Sequence, residues 1–527
     1  MLTPTEEESA RRRSMAYVKR IAISLVAGAT VCSPSYAVDL NDSATSVPPF
    51  RIESSVGIDL TYTDNAAPSR VDGEAEFVAQ IKPAVRIYGQ SPRLNGTLDF
   101  GAQQYLYSGG SGRNHVETPM SANIRAELVE RHVFLDVLGS VRTQSTSVFD
   151  TQSNGDIVDS QNRTRVRTIQ VNPSFVTRLP GALDLEVAAS YAIGKASSGV
   201  LSAGQGVDAV GLAARLSGER VQRAIGWTLT ADSKRMAYSG RPTTETQRVQ
   251  LDGMVRLDPQ YQIIVGGGFE SDNFNLEDRR QRATLSLGAE WAPTERSKFV
   301  LRTDRRSFGN GYLLDLAHRT ALTAWKFQAS KDVKLPTQQV AGSGRSEIFD
   351  TMFSQLAGSI PDPADRTEEV LRRLDAAGIP ANTPVSGSVL SSDPYLERKV
   401  SASVSLTGAR NSIALAASTG SSERLSSIPL LLDDFALTPI IHQTSAQVSW
   451  SYKLSGESNF AVSNQYGRSI SDDRKTESSL RLWTMKLTSR LSQRTDVAVS
   501  LVRTSADSTV GASYDENSIT GSIRMAF

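Results

Sequence analysis

Along most of the chain, hydrophobic and polar residues alternate one by one. Between 248 and 257, for example, Val249, Leu251 and Val255 are separated by charged or amide side chains. Because successive side chains on a β-strand point to opposite faces, this pattern predicts strands with one apolar and one polar surface. The same alternation runs through 183–193, 282–291 and 447–454.

A soluble antiparallel sandwich or propeller has the same alternation, but two further features favour a transmembrane barrel. The alternating segments are long enough to cross a bilayer, which takes about 9 to 11 residues of a tilted strand. Short connections such as 89–92 and 258–260 also alternate with long ones such as 149–163 and 425–441. Short periplasmic turns with longer outer loops are the usual layout of outer-membrane barrels.

The C-terminus supplies a third feature. The last strand places Ile523, Met525 and the terminal residue Phe527 on one face. A final strand that ends on Phe resembles the signal read by the outer-membrane barrel assembly machinery. We therefore expect this machinery as a partner during biogenesis and outer-membrane lipid as the surroundings of the mature barrel.

A single-chain barrel with both ends in the periplasm needs an even number of strands. The alternating segments between 51 and 527 give 22 strands if 311–332 is divided at Thr320–Ala321. This division also brings every tight turn to the periplasmic side. The predicted fold class is all-β: a transmembrane antiparallel up-and-down β-barrel of about 22 strands with a small helical insertion.

The tryptophans agree with this topology, because all but Trp483 fall near the periplasmic ends of predicted strands. Tryptophan concentrates at membrane interfaces, where its amphipathic ring lies between lipid and headgroup. The sequence therefore predicts an aromatic girdle made of Trp227, Trp291, Trp325 and Trp450.

The alternation stops from 333 to 395, and the residues there become helical in pattern. Apolar residues from Ile348 to Leu356 recur at helical spacing. A second helix is predicted from an N-cap at Asp362 to a stop at Gly378, with Val370 and Leu374 on one face. Strand parity places this insertion on the outer side, and two interpretations stay open: a self-packed outer cap, or a plug in the lumen.

The N-terminus predicts export. Basic residues precede an apolar run from Ile21 to Val31, and Ser35–Tyr36–Ala37 offers a small-x-small cleavage site, which is the layout of a secretory signal peptide. We expect a signal peptide over 1–37, a periplasmic linker over 38–50 and a barrel over 51–527. The protein is therefore expected in the outer membrane of a Gram-negative bacterium.

Composition removes other classes of protein. Hydrophobic residues make up 39% and the mean hydropathy is -0.27, which excludes a bundle of membrane helices. A formal net charge of +1 gives no electrostatic case for binding nucleic acid. The one cysteine, Cys32, falls in the predicted signal peptide, so the mature chain would form no disulfide.

Candidate chemistry is concentrated in the arginines of the polar strand faces. We predict that they line the lumen together with acidic residues, either as an ion-paired wall or as transient contacts for an anionic polysaccharide or solute. The candidates are Arg165, Arg167, Arg248, Arg256, Arg282, Arg302 and Arg305.

The sequence contains no arrangement that is typical of an enzyme. The four histidines are scattered and lack the spacing of a metal site, and no Ser–His pair indicates a hydrolase. We therefore predict no catalytic residues, no bound metal and no cofactor.

Several motifs carry a resemblance to a known family. Residues 55–65 (SVGIDLTYTDN), 308–310 and 316–319, together with Ile360–Pro363 and Gly378–Pro380, occur in order along the chain. In these motifs the chain resembles the PEP-CTERM system-associated outer-membrane proteins. The resemblance implies a Gram-negative outer-membrane barrel that is encoded with exosortase and exopolysaccharide production systems, and it carries no catalytic residues over.

Three functions follow as hypotheses. The first is a passage or docking barrel for exopolysaccharide or for proteins of the same surface-export system. The second is a structural outer-membrane protein or receptor barrel with a closed lumen and no transport. The third, an outer-membrane enzyme, has the least support in the sequence.

Overall fold

The computed structural model describes most of the chain from Phe50 to Phe527. The predicted signal peptide (1–37) and nearly all of the predicted linker (38–50) lie outside the described residues. The internal stretches that are not described are 71–72, 92, 110–113, 154–161, 198–205, 221–223, 239–242, 275–278, 336–348, 350–351, 354–355, 357–359, 361–362, 377–388, 390, 392–393 and 427–432.

The described residues form 22 strands. Two of them are interrupted: β3 consists of Leu94–Gly101 and Gln103–Tyr107, and β4 of His115–Glu117 and Met120–Val129. The others are β1 (Phe50–Thr63), β2 (Glu76–Ser91), β5 (Val133–Ser145), β6 (Arg163–Leu179), β7 (Leu183–Ala196), β8 (Gly206–Arg220), β9 (Ile225–Tyr238), β10 (Thr244–Asp258), β11 (Tyr261–Asp272), β12 (Arg280–Thr294), β13 (Ser297–Arg306), β14 (Gly309–Arg319), β15 (Thr323–Lys334), β16 (Tyr395–Thr407), β17 (Asn411–Arg424), β18 (Ile440–Lys453), β19 (Ser458–Ser471), β20 (Glu477–Ser492), β21 (Thr495–Ser508) and β22 (Tyr514–Ala526).

Each strand pairs antiparallel with the next, and the last strand pairs with the first. In this closing pair Ile523 lies opposite Ile58, Met525 lies opposite Val56, and the amide of Phe527 donates a hydrogen bond of 2.9 Å to the carbonyl of Ser54. Closure leaves no free sheet edge, which satisfies the backbone inside a bilayer. The predicted fold class, a closed antiparallel barrel of 22 strands, is confirmed.

The two faces of the wall differ as the alternation predicts. On β10, Val249 and Leu251 are 49% and 52% exposed on the outer surface, whereas Gln250 between them is 2% exposed on the inner face. Apolar side chains recur at outward positions on nearly every described strand. A closed barrel with an apolar outer surface is built for a lipid bilayer, and the protein is a Gram-negative outer-membrane barrel.

The connections also follow the predicted layout. At the end of the barrel that holds both chain termini, each connection has two to four residues, as in 259–260 and 295–296. Residues 320–322 form one of these turns, so the division of 311–332 into two strands is confirmed. The other end carries the long connections 146–162 and 425–439, but it also contains the tight turn 307–308, so the prediction that every tight turn lies on the periplasmic side is wrong.

Among the described residues, two short helices interrupt the strands: α1 (Pro363–Ala376) between β15 and β16, and α2 (Asp434–Leu437) between β17 and β18. Phe349, Met352 and Phe353 are also helical, within the first apolar stripe of the predicted insertion. The proposed N-cap Asp362 and stop at Gly378 lie outside the described residues. No helix in the described part of the chain is long and apolar enough to cross a membrane.

Candidate functional site

A patch of small side chains lines one part of the lumen, on the inner faces of β16 to β19. Ser405 is 0% exposed and Ala414 and Ser449 are 2% exposed, although strand pairing turns all three towards the lumen. Side chains that face an open, water-filled channel stay exposed, so this burial means that the lumen is filled here. Ser403, Ala416, Ser418, Ser445, Gln447 and Ser463 are buried at equivalent inner positions.

The space is filled by described residues of the segment between β15 and β16 (335–394, the inserted segment). Val370 and Leu374 of α1 are both 0% exposed and lie four residues apart, so they share one face of the helix. Each fully buried aliphatic side chain contributes about 1.5 to 3 kcal/mol. The small wall residues allow the helix to approach closely. One apolar cluster joins Phe349, Met352, Leu356, Val370 and Leu374 to Ala414 and Ala416 of the wall.

Replacing Leu374 by Ala should loosen α1 from the wall while the barrel remains intact. The substitution leaves a cavity in the apolar cluster and should cost about 2 kcal/mol or more. Amide hydrogen exchange along α1 should then become about 30-fold faster or more. The control is Arg372→Ala, because the Arg372 side chain is 57% exposed and a surface ion pair contributes little. Equal exchange rates in the two variants would contradict the packing described here.

Beneath α1, at the periplasmic end of the lumen, lies a cavity of about 910 Å³, which we call the vestibule. Met352, Arg372 and Arg373 of the inserted segment line it together with the inner faces of β1 to β3 and β16 to β22. Eight basic and three acidic side chains give its lining a formal charge of +5. The basic side chains are Lys82, Arg372, Arg373, Arg410, Lys453, Lys486, Arg490 and Arg524, and the acidic ones are Asp59, Glu457 and Asp496.

Ion pairs neutralise only part of this charge. Arg372 and Arg373 both contact Glu369 of α1 at 2.7 Å, Arg490 lies 3.5 Å from Asp496, and Lys82 contacts Asp59. Of the remaining cations, Arg410, Lys453 and Arg524 have no carboxylate of a described side chain within ion-pair distance. A concave surface with an excess of one charge concentrates ions of the opposite sign. The vestibule is therefore suited to anions that enter from the periplasm.

Four of the seven predicted lumenal arginines face the lumen, and one of them, Arg302, belongs to an ion-paired part of the wall. Asp252 is its centre: it accepts hydrogen bonds from Gln250 (2.6 Å) and Ser286 (2.8 Å) and lies 3.3 Å from Arg302. Gly266 pairs with Asp252 and leaves room for the carboxylate, because a Cβ atom there would collide with it. The four inward arginines are Arg248, Arg256, Arg282 and Arg302.

The other three, Arg165, Arg167 and Arg305, face outwards, and the prediction that they line the lumen is wrong. Arg305 pairs with Leu285, which is 62% exposed on the outer surface. Arg165 and Arg167 alternate in phase with Ile169, which is 48% exposed on the same surface. All three lie near the outer ends of their strands, beyond the apolar band. Polar residues occupy both faces there, so polarity does not identify the lumenal one.

The four predicted girdle tryptophans lie on the outer face, near the periplasmic ends of β9, β12, β15 and β18. They join other aromatic rings: the Trp291 ring stacks between Tyr261 (5.7 Å between centroids) and Phe299 (4.8 Å). Strand pairing places Trp227 opposite Gly253, Trp325 opposite His318 and Trp450 opposite Ile413.

Above the inserted segment, the connection between β5 and β6 reaches across the outer mouth. Within it, the amide of Val148 donates a hydrogen bond of 2.8 Å to the carboxylate of Asp434 in α2. Phe149 is 0% exposed and belongs to one apolar cluster with Val389 of the inserted segment and Phe435 of α2. The outer loops therefore hold the inserted segment from above, in a contact that we call the loop latch (Ser147–Phe149 with Asp434–Phe435).

The loop latch contains a carboxyl group that should respond to pH. Burial raises the pKa of Asp434 to about 6. The hydrogen bonds from Ser147 and Val148 act to lower this pKa, whereas the nearby carboxylates of Asp433 and Asp150 act to raise it. An unperturbed Asp has a pKa of about 3.9. Since the folded latch binds the proton more tightly than the unfolded chain does, the latch gains stability as the pH falls from about 7 to 4. It loses this stability as the pH rises through about 6.

Hydrogen exchange at the Val148 amide tests this pH dependence. Corrected for the intrinsic exchange rate, protection in the wild type should rise as the pH is lowered from about 7.5 to 5.5. In the matched variant Asp434→Asn, which keeps the shape and removes the titrating group, protection should not change with pH. A wild type without pH dependence would show that Asp434 does not control the latch.

In the described part of the chain, no cluster of three or more His, Cys, Asp or Glu residues is arranged to hold a metal ion. The histidines lie in separate contacts. His115 stacks on Tyr105 at 4.5 Å, and the ring nitrogen of His318 lies 2.8 Å from Ser297 Oγ.

No protein family matches the chain, and no curated protein sequence is similar to it. Among solved structures, it is similar to the siderophore receptor PiuA from Acinetobacter baumannii (8% identity, 90% of this chain and 82% of that chain, TM-score 0.47). It is also similar to the siderophore receptor PirA (9%, 92% and 81%, TM-score 0.41) and to OccK1 (OpdK) (9%, 90% and 99%, TM-score 0.32), both from Pseudomonas aeruginosa. These similarities are too distant to indicate a ligand.

Proposed function

We propose that this protein is an outer-membrane passage barrel for anionic solutes or polymers and that the inserted segment closes it at rest. The observation that carries the proposal is the vestibule, whose lining has a formal charge of +5 directly beneath α1. A positive compartment that opens towards the periplasm attracts anions, and the helix above it blocks their way. Displacement of the inserted segment would connect the vestibule to the outer mouth.

The class of cargo that fits best is an anionic polysaccharide. Guanidinium groups bind carboxylates and phosphates through paired hydrogen bonds, and lysine adds unspecific attraction. The resemblance to PEP-CTERM system-associated proteins supports exopolysaccharide, or a surface protein exported with it, as the natural cargo. Arg410, Lys453 and Arg524 would make transient contacts with the acidic groups as the chain enters.

A second candidate is a receptor or structural barrel that never opens. The buried apolar cluster around Val370 and Leu374 favours it, because separating α1 from the wall exposes several apolar side chains at once. The two candidates differ in one property: a passage barrel binds anionic cargo in the vestibule, whereas a permanently closed barrel has no use for such binding.

Calorimetry on the purified full-length protein tests the proposal. A galacturonate hexamer, which is an acidic oligosaccharide, should bind saturably. Maltohexaose, a neutral oligosaccharide of equal length, should not bind. The triple variant Arg410→Gln, Lys453→Gln, Arg524→Gln should weaken binding of the acidic oligosaccharide by about tenfold or more, since it removes three charge-assisted contacts. Equal binding of both sugars, or an unchanged affinity in the variant, would refute an anionic passage through the vestibule.

Gene disruption tests the link to exopolysaccharide separately. Cells that lack the gene should lose surface polymer, and a plasmid copy should restore it. Normal polymer export in the disrupted strain would exclude this cargo but would leave binding of other anions to the vestibule as a distinct result.

A further inference from the structure

Charged side chains on the outer face of the barrel are confined to one end. In the periplasmic half, the outward strand positions whose side chains the structure describes carry aliphatic, aromatic and uncharged residues. In the outer half, cations appear between the apolar residues. We call six of these cations the outer basic belt: Arg167, Lys195, Arg305, Lys331, Arg481 and Arg503.

Like charges meet at two places, once within the belt and once between a belt residue and its neighbour Arg398. Arg167 lies directly opposite Lys195, and Lys331 lies directly opposite Arg398. Like charges at directly opposed positions destabilise a sheet. Arg398 has a partner in Glu423 at 3.1 Å. Among the described side chains, no carboxylate lies within ion-pair distance of Arg167, Lys195 or Lys331.

A third group combines cations with aromatic rings on β19, β20 and β21. Arg481 lies opposite Tyr466, with its guanidinium 5.8 Å from the centre of the ring. Trp483 lies opposite Arg503 and is 46% exposed. Aromatic rings of this kind lie at the level of lipid headgroups. Arg481 and Arg503 are four and five residues from the outer ends of their strands, so they lie at the border of the apolar band.

We propose that the outer basic belt binds the phosphate groups of glycolipids in the outer leaflet. An uncompensated cation on a lipid-facing wall is unfavourable unless headgroup oxygens neutralise it. Phosphate oxygens match guanidinium geometry through paired hydrogen bonds, and one phosphate bridging Arg167 and Lys195 would turn their repulsion into attraction. Because these cations occur only in the outer half of the wall, they suit a membrane whose phosphate-rich leaflet lies on the side of the long loops.

The occupant is a membrane lipid rather than free phosphate, because the belt adjoins apolar wall. On β20, Met485 and Leu487 follow Arg481 and Trp483 at the next outward positions towards the periplasm. A glycolipid can therefore place its acyl chains against the apolar band while its phosphates contact the belt. The inference is independent of the proposed passage function, because the belt faces lipid and the vestibule faces the lumen.

Native mass spectrometry of the full-length barrel tests the inference with three probes: a bisphosphorylated glycolipid, the same glycolipid without phosphates, and inorganic phosphate. The test variant is Arg481→Gln, Arg503→Gln. The control is Arg125→Gln, Arg178→Gln, which removes the same charge from the inner face. Heat-dependent gel mobility first establishes that each variant is a folded barrel.

The wild type should retain the bisphosphorylated glycolipid. The test variant should bind it about tenfold more weakly or worse. The affinity of the control variant should stay within about twofold of the wild type. Equal retention of the glycolipids with and without phosphate in the wild type would overturn the inference, whether or not the variants fold. Displacement of the bound glycolipid by millimolar inorganic phosphate would overturn the lipid assignment and indicate a site for soluble phosphate.

Discussion

Deleting the inserted segment should convert a closed barrel into an open pore. Lys334 and Tyr395 are paired across β15 and β16, so a short Gly-Ser link can replace 336–394 without disturbing the strands on either side. Barrels of 22 strands enclose a lumen wide enough to need a plug. In planar bilayers, the conductance of the deletion variant should exceed that of the wild type by about tenfold or more.

The control for this deletion is a loop that makes no contact with the described residues of the inserted segment. Residues 473–475 form an exposed tight turn between β19 and β20, and their replacement by Gly-Ser should leave the conductance low. If the deletion variant conducts no better than the wild type, the wall or the outer loops close the barrel by themselves. The inserted segment would then not be the plug.

Reversing the charge of the vestibule should reverse the ion selectivity of the opened barrel. In the deletion variant, Arg410→Glu, Lys453→Glu and Arg524→Glu each change the charge by two. The deletion removes Arg372 and Arg373, so the formal charge of the lining falls from +5 to +3. The three reversals then bring it to -3. None of the three residues has an ion-pair partner among the described side chains, so the reversal breaks no internal salt bridge.

The measurement is the reversal potential in a salt gradient. The deletion variant should prefer anions and the reversed variant should prefer cations, with a weaker effect at high salt because the charges are screened. A matched control on the ion-paired wall, Arg302→Gln in the same background, should keep the anion preference. An unchanged sign after the triple reversal would show that the vestibule does not control which ions pass.

The strands could be predicted from the sequence because period-two alternation follows directly from strand geometry. The alternation also assigns faces, and Arg305 shows where this fails. Arg305 lies four residues from Leu301 on the same strand, so the alternation places both side chains on the outer face. Its charge nevertheless suggested that it faces the lumen. Near the outer ends of the strands, water is present on both sides of the wall, and charge stops being a guide to orientation.

The position of the inserted segment could not be predicted from strand parity, which fixes only the side on which it begins. A usable signal was nevertheless present in the inward residues of β16 to β19. Over 401–407, 412–422, 441–451 and 459–471 they are uncharged and mostly small, as in Ser405, Ala414 and Ala416, whereas β10 and β13 carry Asp252 and Arg302 at inward positions. A lumen wall that lacks charge over several adjacent strands indicates that protein, not water, covers it.

The vestibule could be predicted only in part, because its members come from chain segments far apart in sequence. Lys82 lies in the middle of a strand and Lys453 and Arg524 lie near turns, and each is unremarkable as a single residue. Barrel closure brings β2, β18 and β22 around one end of the lumen, and α1 adds Arg372 and Arg373 from above. The excess of positive charge therefore appears only once the topology is known.

Cysteine accessibility tests the position of α1 most directly. In a Cys32→Ser background, which has no other cysteine, Arg372→Cys is probed with a membrane-impermeant maleimide, with outer Val510→Cys and periplasmic Glu295→Cys as controls. In intact cells Val510→Cys should react, whereas Arg372→Cys and Glu295→Cys should react only after the outer membrane is permeabilised. Reaction of Arg372→Cys in intact cells at the rate of Val510→Cys would contradict a plug above a periplasmic vestibule.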